Sequence, residues 1–143
     1  MTTTEQLTEI FNDNFVAYFR SHIAHLNIVG RNFQSDHALL NGIYDDLQAQ
    51  IDVIGELIRS CDEFAPKSLE EVMSGSMILP IEMSGDADEM LTEVLGDLTA
   101  LKGCYQTLIE VAEEEDYDEI ANYAQDRVLV LSKFIWMLRA TLD

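Results

Sequence analysis

The chain has 143 residues, 48% of them apolar, with 27 Asp and Glu against 8 Lys and Arg and a formal charge of −19. The apolar share excludes an acidic disordered chain, and the length suits one domain over residues 1–143. The charge disfavours DNA and anionic membrane surfaces and favours cations; the basic residues are scattered singly and form no patch.

The chain opens MTTTEQLTEIF, without a basic segment followed by an apolar one, so no signal peptide is expected. Leu7, Ile10, Phe11, Phe15, Tyr18, Phe19, Ile23 and Leu26 recur at three- and four-residue steps and predict a first helix over residues 4–28. Gly30 stands where a C′ glycine would end it. A second helix is predicted over residues 33–61, with Leu40, Ile43, Tyr44, Leu47, Ile51, Ile54 and Ile58 on one stripe. The turn between the two is short, so they are antiparallel neighbours.

Both prolines, Pro66 and Pro80, fall in the next stretch, residues 62–85. Ser68-Leu-Glu-Glu71 has capping-box spacing and predicts a short helix over residues 68–73. Met90, Leu91, Val94, Leu98, Leu101, Tyr105 and Leu108 predict a third long helix over residues 87–113, started by Asp86 with Glu89. A fourth is predicted over residues 117–142, with Asp116 and Glu119 at N-cap and N3 spacing. Cys61 and Cys104 lie inside helical patterns with no Cys-x-x-Cys spacing, which fits buried thiols and a reducing, cytoplasmic compartment. No apolar run approaches the roughly 20 residues of a membrane helix. The expected architecture is all-α: four long helices with one long crossover carrying a short extra helix, the ferritin-like bundle topology.

Three histidines, His22, His25 and His37, cluster about the first turn. His25 and His37 lie at similar depth on antiparallel helices, so their rings are expected to meet. Taking His37 as zero and about 100° per residue, Asn41, Asp45, Asp52 and Glu56 fall at about 40°, 80°, 60° and 100°. These five potential ligands share one arc that borders the core stripe. No Glu-x-x-His occurs, so the inward-facing di-iron pattern of a bundle core is missing. His37 and Asp52 are 15 residues apart. At about 1.5 Å per residue that is about 22 Å of helix, against metal–ligand bonds of about 2 Å. They cannot share a metal within one chain. A two-fold axis near Asp45–Asp46, pairing the second helix antiparallel with its mate, would bring His37 beside the partner's Asp52 and Glu56 and give two sites per dimer. A solvated polar stripe explains the same spacing, and the histidines alone would serve as interface or cap residues.

The stretch His25-Leu-Asn27-Ile-Val-Gly30-Arg-Asn-Phe33-x3-His37, continued by Asp52-x3-Glu56-Leu-Ile-Arg59, resembles the signature of Dps-type mini-ferritins. Ala65-Pro66-x-Ser68-Leu69 is similar to that family's crossover, and Phe134-Ile-Trp136-Met-Leu-Arg139-Ala140 to its last helix. The resemblance implies hollow shells of twelve subunits with ferroxidase sites at dimer interfaces. It implies His25 and His37 from one chain, Asp52 and Glu56 from the other, oxidation of Fe²⁺ with H₂O₂ or O₂, and ferric mineral stored inside. The family usually has Asp where this chain has Asn41, so Asn41 is expected to ligate weakly. A shell with weak oxidation, acting mainly to bind iron, is the alternative. Asp116, Asp118 and Glu119 are candidates for an acidic pore lining, or simply a solvated loop. Asp45 and Asp46 are candidates for mineral nucleation, and His22 for a supporting or surface role. Some members bind DNA through a Lys-rich tail; residues 1–7 hold no Lys or Arg, so DNA is not an expected partner.

Overall fold

A computed structural model describes all 143 residues, in five helices and no strands. They are α1 (Thr3–Asn27), α2 (Phe33–Ser60), α3 (Leu69–Gly75), α4 (Ala87–Glu114) and α5 (Asp118–Leu142). The predicted elements are all present within a residue or two of their expected ends. No helix is long and apolar enough to cross a membrane.

The helices start where side chains can take up their free N–H groups. Thr2 and Glu5 form a capping box for α1, a signal in Thr2-Thr-Thr-Glu5 that the periodicity had passed over. Asp86 and Glu89 form the expected box for α4. Ser68 caps α3 by accepting from the Glu71 N–H at 3.1 Å.

Two expected termini differ. Asp116 does not cap α5. It adopts φ 64°, with the Asp116 N–H bonded to the Glu113 carbonyl and the Tyr117 N–H to the Ala112 carbonyl. That is a Schellman turn, and it closes α4 instead. The N-cap of α5 is Tyr117, without a side-chain cap. Aspartate tolerates the left-handed backbone better than most residues, which is why one residue type signals either role. Gly30 is not in the C′ position either. The cap of α1 is Ile28, extended at φ −64° and ψ 138°, and Gly30 uses its freedom two residues later at φ 135°.

Helix α1 packs on α2, α3 and α4, and α4 packs on α5. Thr3 donates its N–H to Glu115 at 2.6 Å, so the start of α1 lies beside the end of α4. Gly30 lies against Ala87, so the end of α1 lies beside the start of α4. The crossover therefore climbs the bundle along α1, and α2 and α5 complete the square. One cluster of 27 buried apolar residues fills the centre. Removing each Leu or Ile side chain from water stabilises the fold by roughly 1.5–3 kcal/mol.

The first helix buries a different stripe from the one its large residues suggested. Phe19 and Leu26 are 52% and 62% exposed, while Asn14, Ala17, Ser21 and Ala24 are buried. Contact with three other helices needs small residues inward on α1, so its large ones are left outward. Three successive polar residues, Asn12, Asp13 and Asn14, are also buried. Asp13 holds the crossover by accepting from the Met77 N–H at 2.7 Å and the Ser76 hydroxyl at 3.1 Å.

Candidate metal centre

His25 sits in the last turn of α1 and His37 in the second turn of α2. Their imidazoles stack with centroids 3.7 Å apart and planes 18° from parallel. Each ring bonds the other residue's backbone: His25 Nδ1 to the His37 carbonyl and His37 Nδ1 to the His25 carbonyl, both at 2.8 Å. A carbonyl only accepts, so both Nδ1 atoms carry the proton. In the neutral rings both Nε2 lone pairs are then free for a metal.

The same contacts solve a folding problem. The last N–H to bond back into α1 is that of Ile28, to Ala24, so the His25 carbonyl is one of the helix's end acceptors. His37 satisfies it. Phe33 covers the other face of His37 at 4.9 Å, and His25 is only 7% exposed. Tyr44 meets His25 edge-on at 4.9 Å and stacks on His22 at 3.9 Å and 5°. His22 accordingly belongs to the aromatic packing behind the pair, with its Nδ1 3.2 Å from the Tyr18 hydroxyl.

Asp52 and Glu56 are exposed, one turn apart on α2. They lie on the same unbroken helix as His37, so the separation of about 22 Å holds. The chain brings His25 to His37 and Asp52 to Glu56, and does not bring the two pairs together; no group of three or more potential ligands forms within it.

The remaining candidates have partners of their own. The Asn41 amide donates to Asp45 at 2.8 Å, and its oxygen accepts from the Tyr44 hydroxyl at 3.4 Å. Asp46 receives a two-pronged bond from Arg127 of α5, at 3.0 and 2.5 Å. This ties up the Asp46 carboxylate, leaving Asp45 as the exposed one of the two. Tyr123 donates to Gln50 at 2.6 Å beside the same ion pair. The Arg127 guanidinium thus neutralises the Asp46 carboxylate between α2 and α5. Sequence patterning did not single out Arg127, because an isolated basic residue on a helix carries no spacing signal.

Asp116, Asp118 and Glu119 are exposed at the α4–α5 turn, and the last two place negative charge at the start of α5, where the helix dipole favours it. Glu115 in the same turn is held below its ordinary value by hydrogen bonds from Thr3. Cys61 and Cys104 are free thiols. Burial, with Asp13 alongside, pushes Cys104 up to about 12, so that thiol is inert.

The family model for the ferritin-like domain matches residues 4–143. The chain is 27% identical over 143 residues to the "DNA protection during starvation protein" of Helicobacter pylori, with 99% of each chain covered. It superposes on the crystal structure of a Dps protein from Bacillus brevis with a TM-score of 0.93 and 26% identity, covering 99% of this chain and 95% of that one. A Dps structure from Vibrio cholerae, described as a member of a broad superfamily of ferritin-like diiron-carboxylate proteins, gives a TM-score of 0.93 at 24% identity, over 99% and 89% of the two chains.

Proposed function

Since this chain belongs to the ferritin-like domain family, alongside Dps proteins, we propose that it is an iron-oxidising and iron-storing mini-ferritin whose ferroxidase sites are completed between subunits. The observation that carries this reading is the His25–His37 pair: two stacked imidazoles pinned through Nδ1, with both Nε2 atoms free. Such pinning fixes the tautomer and aim of a ligand before the metal arrives.

Under this reading, helix α2 pairs antiparallel with its mate across a two-fold axis near Asp45–Asp46. His25 and His37 of one subunit then face the partner's Asp52 and Glu56. Fe²⁺ is the substrate. Imidazoles suit the ferrous ion, and the paired carboxylates favour the harder ferric product. H₂O₂ takes up two electrons, one from each of two Fe²⁺ ions; O₂ is the other candidate oxidant. Twelve subunits enclose the mineral, with Asp116, Asp118 and Glu119 lining a route inward and Asp45 a nucleation point. The charge of −19 draws Fe²⁺ toward such a shell and repels DNA, which it disfavours as a partner. Two free thiols fit a reducing, cytoplasmic setting.

One observation favours the weaker-oxidising variant of this reading. Both ends of Asn41 are engaged, by Tyr44 and Asp45. A site with Asn41 has one negative charge fewer than one with Asp, so its second iron position is held less tightly.

The test is to mix the purified protein with Fe²⁺ and H₂O₂, or O₂, and follow the ferric–oxo absorbance beside an Asp52→Ala/Glu56→Ala double variant. The wild type is expected to oxidise iron many-fold faster. Equal rates would mean the ligands are elsewhere.

A further inference from the structure

Within the chain only Arg20 and Arg127 form ion pairs. Among the remaining cations, the fold brings two together on one exposed ring. Arg59 at the end of α2 and Lys67 just before α3 both lie over Phe64, 4.1 and 5.0 Å from its centre. Arg59 is held in place by donating to the Glu63 carbonyl at 2.7 Å. Phe64 is 66% exposed, and neither cation has a carboxylate partner within the chain. We propose that this basic-aromatic spur docks on Glu113 and Glu114 of a second copy of the chain, in a contact separate from the two-fold pairing of α2. The inference rests on the shell reading above, whose second interface it assigns.

Charge and position together favour this occupant. Other carboxylates of the run 113–119 are compensated within the chain. Glu115 accepts from Thr3, and Asp118 and Glu119 stand at the start of α5, where the helix dipole favours negative charge. Glu113 and Glu114 stand at the opposite pole. They end α4, where the dipole disfavours a carboxylate, and no basic residue sits in that last turn. Both are exposed. Cations brought by another chain offset the two charges and the helix end at once. An exposed ion pair alone contributes little. Stacking on Phe64 holds the two cations ready and adds apolar area to the contact.

Spur and acidic turn lie at the same end of the bundle, on either side of the start of α1. Phe64 borders a cleft with Thr2, Glu5 and Thr8, while the Thr3 N–H reaches Glu115. Two unlike patches on one copy make a head-to-tail contact, which closes into a ring when its rotation allows. A ring at this end gathers the acidic turns about its axis. The spurs then offset the repulsion between the turns and leave Asp116, Asp118 and Glu119 free.

The experiment is sedimentation velocity on the full chain at physiological salt. Arg59→Glu/Lys67→Glu should shift the protein from the large assembly to dimers, with the circular dichroism still helical. Glu113→Lys/Glu114→Lys should do the same. The fourfold variant, with both patches reversed, should recover the large assembly, a rescue that damaged folding would not show. The proposal is overturned if the spur variant sediments as the wild type does, or if the fourfold variant stays small. Unchanged sedimentation with lost binding of inorganic phosphate would make the spur an anion site, and also overturns it. Dimers of the spur variant should bind Co²⁺ as tightly as the wild type, because the pairing of α2 is untouched; dissociation to lone chains would show that the two contacts are not separate. A wild type whose assembly depends on the spur, yet which oxidises no iron, leaves this contact standing and removes the ferroxidase reading. A wild type that does not assemble removes both.

Discussion

At the residue scale, Asn41 would set the strength of the proposed metal site. Its amide bonds Asp45 one turn on, and its oxygen takes the Tyr44 hydroxyl. Asn41→Asp exchanges that bond for a like-charge i,i+4 pair, a penalty of about 0.2–0.5 kcal/mol. The exchange also returns a negative ligand beside His37. The expected outcome is a slightly less stable protein that binds a second Co²⁺ or Zn²⁺ per site several-fold more tightly in calorimetric titration. Unchanged stoichiometry and affinity would make Asn41 a helix-surface residue only. The histidines show how one contact does two jobs. The His37 proton that caps α1 is the proton that frees its other nitrogen for a metal. Their spacing either side of the turn was visible in the chain; the exchange of carbonyls was not, because backbone acceptors leave no mark on side-chain spacing.

At the element scale, α1 and α4 are joined by ion pairs of a buried arginine. Arg20, 4% exposed, bonds Glu93 at 2.7 Å and approaches Asp97 at 3.3 Å. Burial pushes the Asp97 carboxyl up to about 7, against the pull of Arg20 and helped by the nearby Glu93 charge. Its folded value thus stands above its ordinary 3.8, and the folded state holds the proton longer than the unfolded one. As pH rises from about 4 to about 7, this group therefore lowers stability. Asp97→Asn should flatten the pH dependence of denaturant-induced unfolding across that window, with the gain over wild type largest above pH 7. A variant whose profile runs parallel to wild type would show that Asp97 ionises freely in the folded state. Helix ends tell a similar story of partial legibility. Thr2, Ser68 and Asp86 cap helices as their spacing implies, whereas Asp116 matches the same pattern and closes the preceding helix.

At the scale of the whole molecule, the proposed shell would need apolar surface on the outside of the single chain, and the chain has it. Phe64, Leu69, Leu79, Leu129 and Trp136 are each more than 60% exposed, and Leu129 and Trp136 stand two turns apart on α5. Apolar surface of this kind marks contact with other chains. Leu129→Asp/Trp136→Asp should shift the sedimentation coefficient sharply toward smaller species while the circular dichroism stays helical. If the sites are completed between subunits, the dissociated variant should also bind Co²⁺ much more weakly, although His25, His37, Asp52 and Glu56 are all intact. Retained tight binding by a lone chain would contradict the rise of about 22 Å along α2.

The sequence by itself determined the helices, their order, and the separation of the histidines from the carboxylates, because periodicity and helical rise are local properties of the chain. It also pointed to a cation-binding rather than a nucleic-acid-binding surface, because charge is a sum over residues. Only the tertiary structure decided which face of α1 goes inward, that Arg127 claims Asp46, and that the two imidazoles stack with both Nδ1 protons spoken for. Each of these depends on what another helix presents at contact distance, and no pattern within one helix carries that.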